Sequence, residues 1–281
     1  MKRAIVAGAN GLIGRALIEE LIKNKILVLA LGTAKNLHKN LKEIKNSKII
    51  YYQVKKNNCY TNLFRKIKKK FKTDQCVFFN LAWRGKTRLT DGEIKDQLKN
   101  INFCCELIKL AHNLKIKKYV ATGSMEEVML KRFIEKNYWL NKKISQPSWY
   151  ALSKFSAWMQ TAFEAYNKKI DFCYARISVV IDVNLNTNKF VENSFKNLLK
   201  NIKIDLPKNY ELCNICSSNE IARQLIAIAK YGKNKKIYTL GTGECNSLEN
   251  FFYQFSKFIN PNLNIIKKLC KKKKIITFKK K

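Results

Sequence analysis

A tyrosine and a lysine stand four residues apart in the segment Tyr150-Ala151-Leu152-Ser153-Lys154, and on a helix this spacing stacks both side chains on one face. Tyrosine alone is a poor base at neutral pH, because an ordinary phenol keeps its proton up to about pH 10. A neighbouring ammonium stabilises the phenolate, so the pair can exchange a proton with a substrate oxygen. In a lysine-rich chain such a pair also arises as a plain surface contact, and its place in the fold decides between the two.

A hydroxyl residue precedes this pair by one strand–helix step. The apolar run 118–122 predicts a strand, and it ends in Thr122-Gly123-Ser124. Ligands bind at the carboxyl edge of open α/β sheets, which places Ser124 beside the oxygen that Tyr150 would protonate or deprotonate. Taken alone, Ser124 is more typical of a helix cap. Together with its partners it predicts a catalytic set of Ser124, Tyr150 and Lys154.

A glycine-rich turn near the N-terminus is the third chemical feature. The apolar run 4–8 leads into Gly8-Ala9-Asn10-Gly11-Leu12-Ile13-Gly14 and then into an amphipathic segment. Gly8 permits a tight turn, Gly11 removes a Cβ that would obstruct a pyrophosphate, and Gly14 lets the helix pack closely on the sheet. The free N–H groups of the helix start bind phosphate. We therefore predict a dinucleotide site formed by Gly8, Asn10, Gly11, Leu12, Ile13 and Gly14.

The end of the second predicted strand, 26–31, discriminates between NAD and NADP. An acidic residue there binds the ribose 2′-hydroxyl and repels a 2′-phosphate. The sequence has no Asp or Glu between Ile26 and Lys42, whereas Thr33 and Lys35 suit a 2′-phosphate. We favour NADP over NAD on this basis, although Lys35 is also one of 48 lysines, most of them expected in solvent.

The elements that position these residues alternate along the chain. We predict strands over 4–8, 26–31, 49–54, 76–80, 118–122, 172–177 and 237–240, and helices over 12–24, 62–71, 94–113, 150–167 and 217–231. Apolar strands separated by helices predict an α/β fold with a doubly wound parallel sheet covered on both faces. The pattern becomes less regular from about residue 182. We predict a dinucleotide-binding domain over 1–180 and a smaller substrate-binding region over 181–281, of which 217–241 returns to the first domain.

The charge of the chain is its most unusual bulk property. Its 281 residues include 56 Lys or Arg and only 20 Asp or Glu, for a formal net charge of +36. An excess of this size is typical of proteins that bind nucleic acid or acidic membranes. However, 48 of the 56 are lysines, whereas bidentate recognition of phosphate and bases favours arginine. Abundant Lys, Asn and Ile indicate an AT-rich coding sequence, so we predict no nucleic-acid partner and a field that attracts small phosphorylated ligands.

Other classes of protein are excluded by simple counts. No apolar run approaches the roughly 20 residues that span a bilayer, and Gly8 interrupts the first run too early for a signal peptide. The nine cysteines are scattered and the chain has only two histidines, which argues against both a disulfide framework and a metal site. We expect a cytoplasmic protein with no membrane insertion and no metal.

The motifs together resemble the extended short-chain dehydrogenase/reductases, the NAD(P)-dependent nucleotide-sugar epimerase/dehydratase family. The likeness extends nearly end to end. Beyond the cofactor loop and the Ser/Tyr/Lys set, it rests on segments similar to the family's "HLA", "NV", "LRxxNVYG" and "YNIGSGxxxSLxE" motifs. In this chain these are Phe79-Asn80-Leu81-Ala82-Trp83, Asn100-Ile101, Ala175-Arg176-Ile177-Ser178-Val179-Val180 and Tyr238-Thr239-Leu240-Gly241-Thr242-Gly243 with Ser247-Leu248-Glu249.

The resemblance implies a Rossmann-type fold with a small C-terminal substrate-binding lobe, and hydride transfer at a sugar carbon, commonly C4. Tyr150 would exchange the hydroxyl proton, Ser124 would bind the reacting oxygen, and Lys154 would also bind the nicotinamide ribose. Further cofactor-binding residues would be Leu81, Ala82, Trp83 and Asn100, the last helping to order the lysine. Substrate-binding residues would be Ser124, Met125, Glu126 and Ser178. The basic and aromatic stretch Trp83-Arg84-Gly85-Lys86 lies beside the expected site, and in it Arg84 either binds a sugar or phosphate of the substrate or covers a helix end. The family commonly forms homodimers through two long helices.

Three functions stay open. A 4-keto reductase that uses NADPH and a 4-epimerase that retains NAD share the same catalytic set, and the missing acid after the second strand favours the reductase. Dehydration is disfavoured, because Met125 stands where the family's dehydratases place an aspartate. The alternative of another class is a non-catalytic protein that binds a cofactor or a polyanion. It is supported by the net charge and by the basic cluster 65–72, which is also the pattern of a solvated helix face.

Overall fold

The computed structural model describes residues 1–43, 48–54, 60–85, 94–128, 130, 147–204 and 212–260. Strands and helices alternate through the first half of the chain, as the apolar periodicity predicts. In chain order the elements are β1 Arg3–Ala7, α1 Leu12–Lys23, β2 Leu27–Gly32, α2 Lys39–Glu43, β3 Ile49–Gln53, α3 Tyr60–Lys70, β4 Cys76–Asn80, α4 Ile94–Asn113, β5 Lys118–Ser124, α5 Pro147–Asn167, β6 Asp171–Ile177, β7 Val179–Ile181, α6 Phe190–Leu199, β8 Leu212–Cys213, β9 Ile215–Ser217, α7 Ser218–Tyr231, β10 Ile237–Leu240, β11 Asn246–Ser247 and α8 Leu248–Ile259.

Seven strands form the main sheet in the order β3-β2-β1-β4-β5-β6-β10, and every pair in it is parallel. The strand order reverses between β1 and β4, whose ends are in register at Ala7 and Asn80. Ligands of open α/β sheets bind at such a reversal, outside the carboxyl ends of the strands. The predicted α/β fold with a doubly wound parallel sheet is confirmed.

Apolar side chains cover both faces of this sheet. Alternate residues of β1 point to opposite faces, so that Ala4 and Val6 join one buried cluster while Ile5 joins the other. Helices α1 and α7 contribute Leu17 and Leu225 to the first cluster, and α3, α4 and α5 contribute residues to the second. None of the helices in the described ranges is long and apolar enough to cross a membrane.

Several elements extend beyond their predicted bounds. Strand β5 extends through Gly123 to Ser124 instead of ending at Thr122, because it stays paired with β6 up to Ile177. Helix α5 begins at Pro147, since proline is well accommodated in a first helical turn. The stretch after residue 182 is more regular than predicted, with helices α6 and α8. Its tail beyond residue 260 lies outside the described residues.

The chain divides into two compact units. The first comprises Met1–Val183 with Asn214–Gly243, and holds the main sheet. The second comprises Asn184–Cys213 and the described part of Glu244–Lys281, in which Phe195 of α6 meets Phe252 of α8 with ring centres 5.2 Å apart. The substrate-binding role of the C-terminal region stays a prediction.

Candidate active site

Neighbouring backbone atoms lie so close to the glycine-rich loop that Gly8 and Gly14 have no room for a side chain. Gly8 has φ +88°, and a Cβ on it would come within 2.8 Å of the Leu81 carbonyl carbon just after β4. The N–H groups of Gly8 and Ala9 both donate to the carbonyl of Leu31, at 3.0 and 3.1 Å, which ties the loop to the end of β2. A Cβ on Gly14 would clash with the carbonyl oxygen of Gly8. The loop is therefore held between β2 and β4 at the strand-order reversal.

The start of α1 is suited to an anionic group. Its N-cap residue is Gly11, no side chain caps it, and no acidic residue lies in its first turn. The first N–H groups of a helix have no partner within the helix and carry partial positive charge. A dinucleotide pyrophosphate matches this donor set, with Leu12 and Ile13 half-buried behind it.

The predicted 2′-phosphate residues lie on an exposed loop whose backbone is fixed. Tyr51 donates from its hydroxyl to the Ala34 carbonyl at 2.6 Å, and Gln53 donates to the Thr33 carbonyl at 3.1 Å. The side chains of Thr33 and Lys35 are exposed. Asn10 of the glycine-rich loop accepts a bond from the His38 N–H at 3.0 Å. The His38–Asn10 bond brings the loop after β2 against the glycine-rich loop.

Helix α5 presents Tyr150 and Lys154 at the carboxyl ends of β4 and β5. Lys154 is 7% exposed, and its Nζ donates to the Thr122 carbonyl at 3.0 Å. The same Nζ lies 4.2 Å from the centre of the Trp83 ring, and Trp83 meets the Tyr150 ring edge to face at 5.9 Å. Three residues predicted from two separate motifs thus form one cluster.

Ser124 is held at the end of β5 by both its backbone and its side chain. Its Oγ accepts a bond from the Glu126 N–H at 3.3 Å, and its N–H donates to Oε1 of Glu127 at 2.8 Å. The next residue, Met125, donates its N–H to the carbonyl of Ile177 at 3.1 Å. Met125 and Glu126 are half-buried beside the serine, and their role toward a substrate stays a prediction.

Glu127 is the residue that motif analysis missed. Besides the Ser124 N–H, its carboxylate accepts bonds from the Tyr174 hydroxyl at 2.7 Å and from Nε of Arg176 at 3.2 Å. Burial and the adjacent carboxylate hold the pKa of Tyr174 well above its usual value. The Ser-x-x-Glu spacing of a capping box was the available sequence signal.

The segment after β4 is fixed by two asparagines. Asn80 accepts a bond from the Ala82 N–H at 3.1 Å. Asn100 of α4 is 2% exposed and bonds both the N–H and the carbonyl of Arg84 at 2.9 Å. The Arg84 guanidinium lies 5.4 Å from the centre of the Phe103 ring. These contacts of Asn100 are to Arg84, and the ordering of Lys154 by Asn100 stays a prediction.

A small cavity with a mixed polar and apolar lining lies beside Lys154. Its volume of about 10 Å³ holds one water molecule at most. Its polar lining includes Asn80, Thr122, Lys154, Thr161 and Tyr174. Ser178, predicted to bind substrate, has its Oγ 3.3 Å from Oδ1 of Asn214, and its role toward a substrate stays a prediction.

Comparisons with known proteins cover most of the chain. Residues 4–244 match the model of a family described as the NAD dependent epimerase/dehydratase family. A search of the curated proteins found no match.

Solved structures of similar fold include two sugar-nucleotide 4-epimerases. UDP-glucose 4-epimerase from Thermotoga maritima, solved with UDP-glucose, is similar with a TM-score of 0.70 at 15% identity, over 92% of this chain and 82% of that chain. UDP-N-acetylglucosamine 4-epimerase from Bacillus cereus has a TM-score of 0.70 at 15% identity, over 93% and 81%. The Bordetella bronchiseptica enzyme WbmF, in complex with NAD⁺ and UDP, has a TM-score of 0.71 at 15% identity, over 94% and 80%. These likenesses show the shared fold.

Proposed function

Because the chain belongs to the NAD dependent epimerase/dehydratase family, we propose that it transfers hydride at a carbon of a nucleotide-linked sugar, with Tyr150, Lys154 and Ser124 as catalytic residues. The observation that carries this proposal is the buried Lys154 ammonium, held on the Thr122 carbonyl one helical turn from Tyr150. An ammonium on the same helix face as a phenol stabilises the phenolate that proton transfer leaves behind.

Each residue has a defined task in the reduction of a sugar ketone. The Tyr150 phenol gives its proton to the carbonyl oxygen as the carbon gains hydride, and Lys154 stabilises the resulting phenolate. The Ser124 Oγ already accepts a bond from the Glu126 N–H, so its own hydrogen is free to bind the substrate oxygen. In the oxidation direction the phenolate takes the hydroxyl proton back. A nicotinamide dinucleotide, held by residues 8–14, supplies or accepts the hydride when bound.

We propose keto-reduction at C4 as the reaction, with NADPH as donor. The support is the absence of an acid between Ile26 and Lys42 together with the exposed Thr33 and Lys35. The second candidate is 4-epimerisation with retained NAD, which is supported by the similar fold of two sugar-nucleotide 4-epimerases. The cofactor state separates them. Tightly bound NAD in the purified protein, with epimer formation and no added cofactor, indicates the epimerase. Stoichiometric NADPH oxidation by a 4-keto sugar nucleotide indicates the reductase.

The catalytic assignment is tested by Tyr150→Phe. We expect kcat to fall by at least about 100-fold, because general acid–base catalysis is lost, while the Kd for the dinucleotide changes little. Tyr166→Phe is the control, since Tyr166 lies on the same helix and is 64% exposed. Full turnover by Tyr150→Phe would show that the assignment is wrong.

A homodimer through α4 and α5 is part of the proposal. Large apolar side chains on these helices are exposed to solvent: Ile94, Leu98, Trp149, Leu152, Phe155, Phe163 and Tyr166. A second copy of the chain would cover them, as the family resemblance implies.

Binding of a polyanion without catalysis is the competing proposal. On α3 the lysines face solvent while Leu63 and Ile67 are buried, which is also the pattern of an ordinary amphipathic helix. Nucleic-acid binding that survives high salt, in a chain with no turnover, would favour it.

A further inference from the structure

The carboxylate of Glu127 is fully buried beneath the end of β5. Its side chain has 0% exposure, and three donors surround it: the Ser124 N–H, the Tyr174 hydroxyl and the Arg176 guanidinium. A buried carboxylate is stable only when it is paired and its oxygens are bonded. Oε1 binds the serine and the tyrosine, while Oε2 binds the arginine. One side chain therefore joins β6 to the backbone of the proposed catalytic serine.

The residue before the serine is adapted to this contact. A Cβ on Gly123 would lie 2.5 Å from Oε1 of Glu127 and 2.5 Å from the ring of Tyr174. Real Cβ atoms do not approach neighbours so closely, so glycine at this position is what lets the carboxylate reach the strand. This close packing places the Glu127 carboxylate within hydrogen-bond distance of the Ser124 N–H.

The donors are themselves held in place. The Arg176 guanidinium lies 5.3 Å from the centre of the Trp158 ring, and Trp158 stacks on Tyr174 with ring centres 5.3 Å apart. Trp158 and Tyr174 also line the cavity next to Lys154. Trp158 and Tyr174 therefore lie between the buried Glu127–Arg176 pair and the cavity beside Lys154.

A second serine of the chain shows that the spacing alone does not produce this arrangement. Ser217 caps α7 and accepts a bond from the Glu220 N–H, at the same Ser-x-x-Glu spacing. The Glu220 carboxylate, however, binds Arg223 and Gln224 on the surface of the helix. An ordinary cap leaves its glutamate in solvent, whereas Glu127 is buried and neutralised by a residue of another strand.

We propose that Glu127 is a positioning residue for Ser124: it accepts the serine N–H, and Arg176 and Tyr174 hold its carboxylate, so that the serine hydroxyl points at the substrate oxygen. The inference rests on the proposed function, in which Ser124 binds that oxygen. No proton moves to or from Glu127 in this role. Its contribution is geometric and reaches the reaction only through Ser124.

A double-mutant cycle tests whether Glu127 acts through the serine. In Glu127→Gln an NH₂ group replaces one carboxylate oxygen. It must face a donor, either Arg176 or the Ser124 N–H, so one of these two hydrogen bonds is lost. We expect kcat to fall about 10-fold to 100-fold, as for small displacements of a positioned group, with the substrate KM changed less than about three-fold. In the Ser124→Ala background the same change is expected to cost less than about two-fold. Glu220→Gln is the matched control and should leave kcat unchanged. Equal losses in both backgrounds would overturn the proposal.

A second variant separates positioning from stability. Unpairing a buried charge is strongly destabilising, whereas replacing both partners by apolar side chains is often neutral. The double variant Glu127→Met/Arg176→Met is therefore expected to lose less thermal stability than Glu127→Met alone, in which Arg176 keeps an unpaired charge; the Tyr174 hydroxyl and the Ser124 N–H lose their acceptor in both variants. The double variant should nevertheless show the same fall in kcat, because the Ser124 N–H has lost its acceptor. Wild-type kcat in a folded double variant would contradict the proposal.

Hydrogen exchange at the Ser124 amide tests the positioning even without a known substrate. We expect this amide to exchange at least about ten-fold faster in the Glu127→Met/Arg176→Met variant, because its acceptor is gone. If no sugar nucleotide is turned over by the wild type, the proposed function fails and this measurement still tests the positioning. Unchanged protection of the Ser124 amide would overturn the inference.

Discussion

The ammonium nitrogen of Lys154 lies 4.2 Å from the centre of the Trp83 ring, while it donates a hydrogen bond to the Thr122 carbonyl. A cation over an indole face is attracted by the ring's negative potential, most strongly where water is excluded. The same indole meets Tyr150 edge to face. Trp83 therefore contacts both members of the proposed acid–base pair.

Replacement of Trp83 is expected to lower kcat, and the more so the less aromatic ring remains over Lys154. In Trp83→Ala the lysine loses an attraction of about 1–2 kcal/mol, and we expect kcat to fall about 5-fold to 30-fold. Trp83→Phe keeps a ring and should fall less. Phe64→Ala is the matched control, because Lys68 lies 5.8 Å from the Phe64 ring on α3, away from the proposed site. Equal kcat for Trp83→Ala and wild type would exclude this role.

Substitution of Gly8 is expected to disturb both folding and dinucleotide binding. Gly8→Ala forces a side chain to adopt φ +88° and to collide with the Leu81 backbone. The strain and the overpacking together cost roughly 3 kcal/mol or more. Gly243→Ala is the control: Gly243 has φ +86°, but a Cβ at this position would meet no atom within 4 Å, so it should lose only about 1–2 kcal/mol. Denaturant unfolding and dinucleotide titration measure both effects, and similar losses in the two variants would contradict the steric argument.

The sequence alone predicts the bounds of those elements whose burial shows as a local pattern of apolar residues. The strand Cys76–Asn80 and the helix Ile94–Asn113 have their predicted ends, because strands buried on both faces are apolar throughout and a long amphipathic helix repeats its pattern over many turns. The same logic located the glycine-rich turn. What the pattern could not predict was β7 and β9, which form by pairing with each other across more than thirty residues.

The site was only partly predictable for the same reason. Tyr150 and Lys154 share a helix, so their spacing is visible in the sequence. Glu127 and Arg176 lie 49 residues apart, and their ion pair follows from the register of β5 with β6. Trp83 was expected to line a cofactor, yet its contact with Lys154 depends on how α5 packs against α4 and β5. Long-range packing of this kind leaves no local signature.

The proposed preference for NADPH depends in part on Lys35. Lys35→Glu is expected to weaken NADPH binding about 3-fold to 10-fold, because a charged contact to the 2′-phosphate is replaced by repulsion, and not to weaken NADH binding, because an acid after β2 suits the ribose 2′-hydroxyl. Lys39→Glu, also exposed and close in sequence, is the control. Fluorescence titrations with both reduced dinucleotides provide the measurement. Tighter binding of NADH than of NADPH by the wild type would show that the predicted preference is wrong.

The dimer proposal predicts that charge on the exposed face of α4 and α5 separates the subunits. Leu98 and Leu152 are 55% and 43% exposed, and burying a glutamate in their place at an interface is strongly unfavourable. We expect the wild type to have the mass of a dimer by light scattering, and Leu98→Glu/Leu152→Glu that of a monomer. Tyr231→Glu, at a residue 80% exposed on α7, should stay dimeric. A monomeric wild type would rule the interface out.

His38 should lose its proton at a lower pH than an ordinary histidine. Burial lowers the pKa of His38, and the charges of Arg15 and Lys39 lower it further. The Arg15 guanidinium lies 2.9 Å from Nε2 of His38, so it donates to the neutral ring and is repelled by the charged one. As the pH falls, the unfolded chain binds a proton at about pH 6.5, before the folded chain does. The contribution of His38 to stability is therefore complete above about pH 6.5 and is lost as the pH falls through the folded value.

Proton NMR gives the midpoint of His38 directly, because the chain has only two histidines and the variant His112→Gln assigns their signals. We expect the His38 midpoint to lie below about 6.5. In Arg15→Met the charge repulsion is gone, so the midpoint should rise toward the usual value without reaching it, because burial still disfavours the charged ring. The wild type should also lose unfolding free energy faster than His38→Gln as the solution is acidified. A midpoint at or above the usual value would contradict both the burial of this ring and its contact with Arg15.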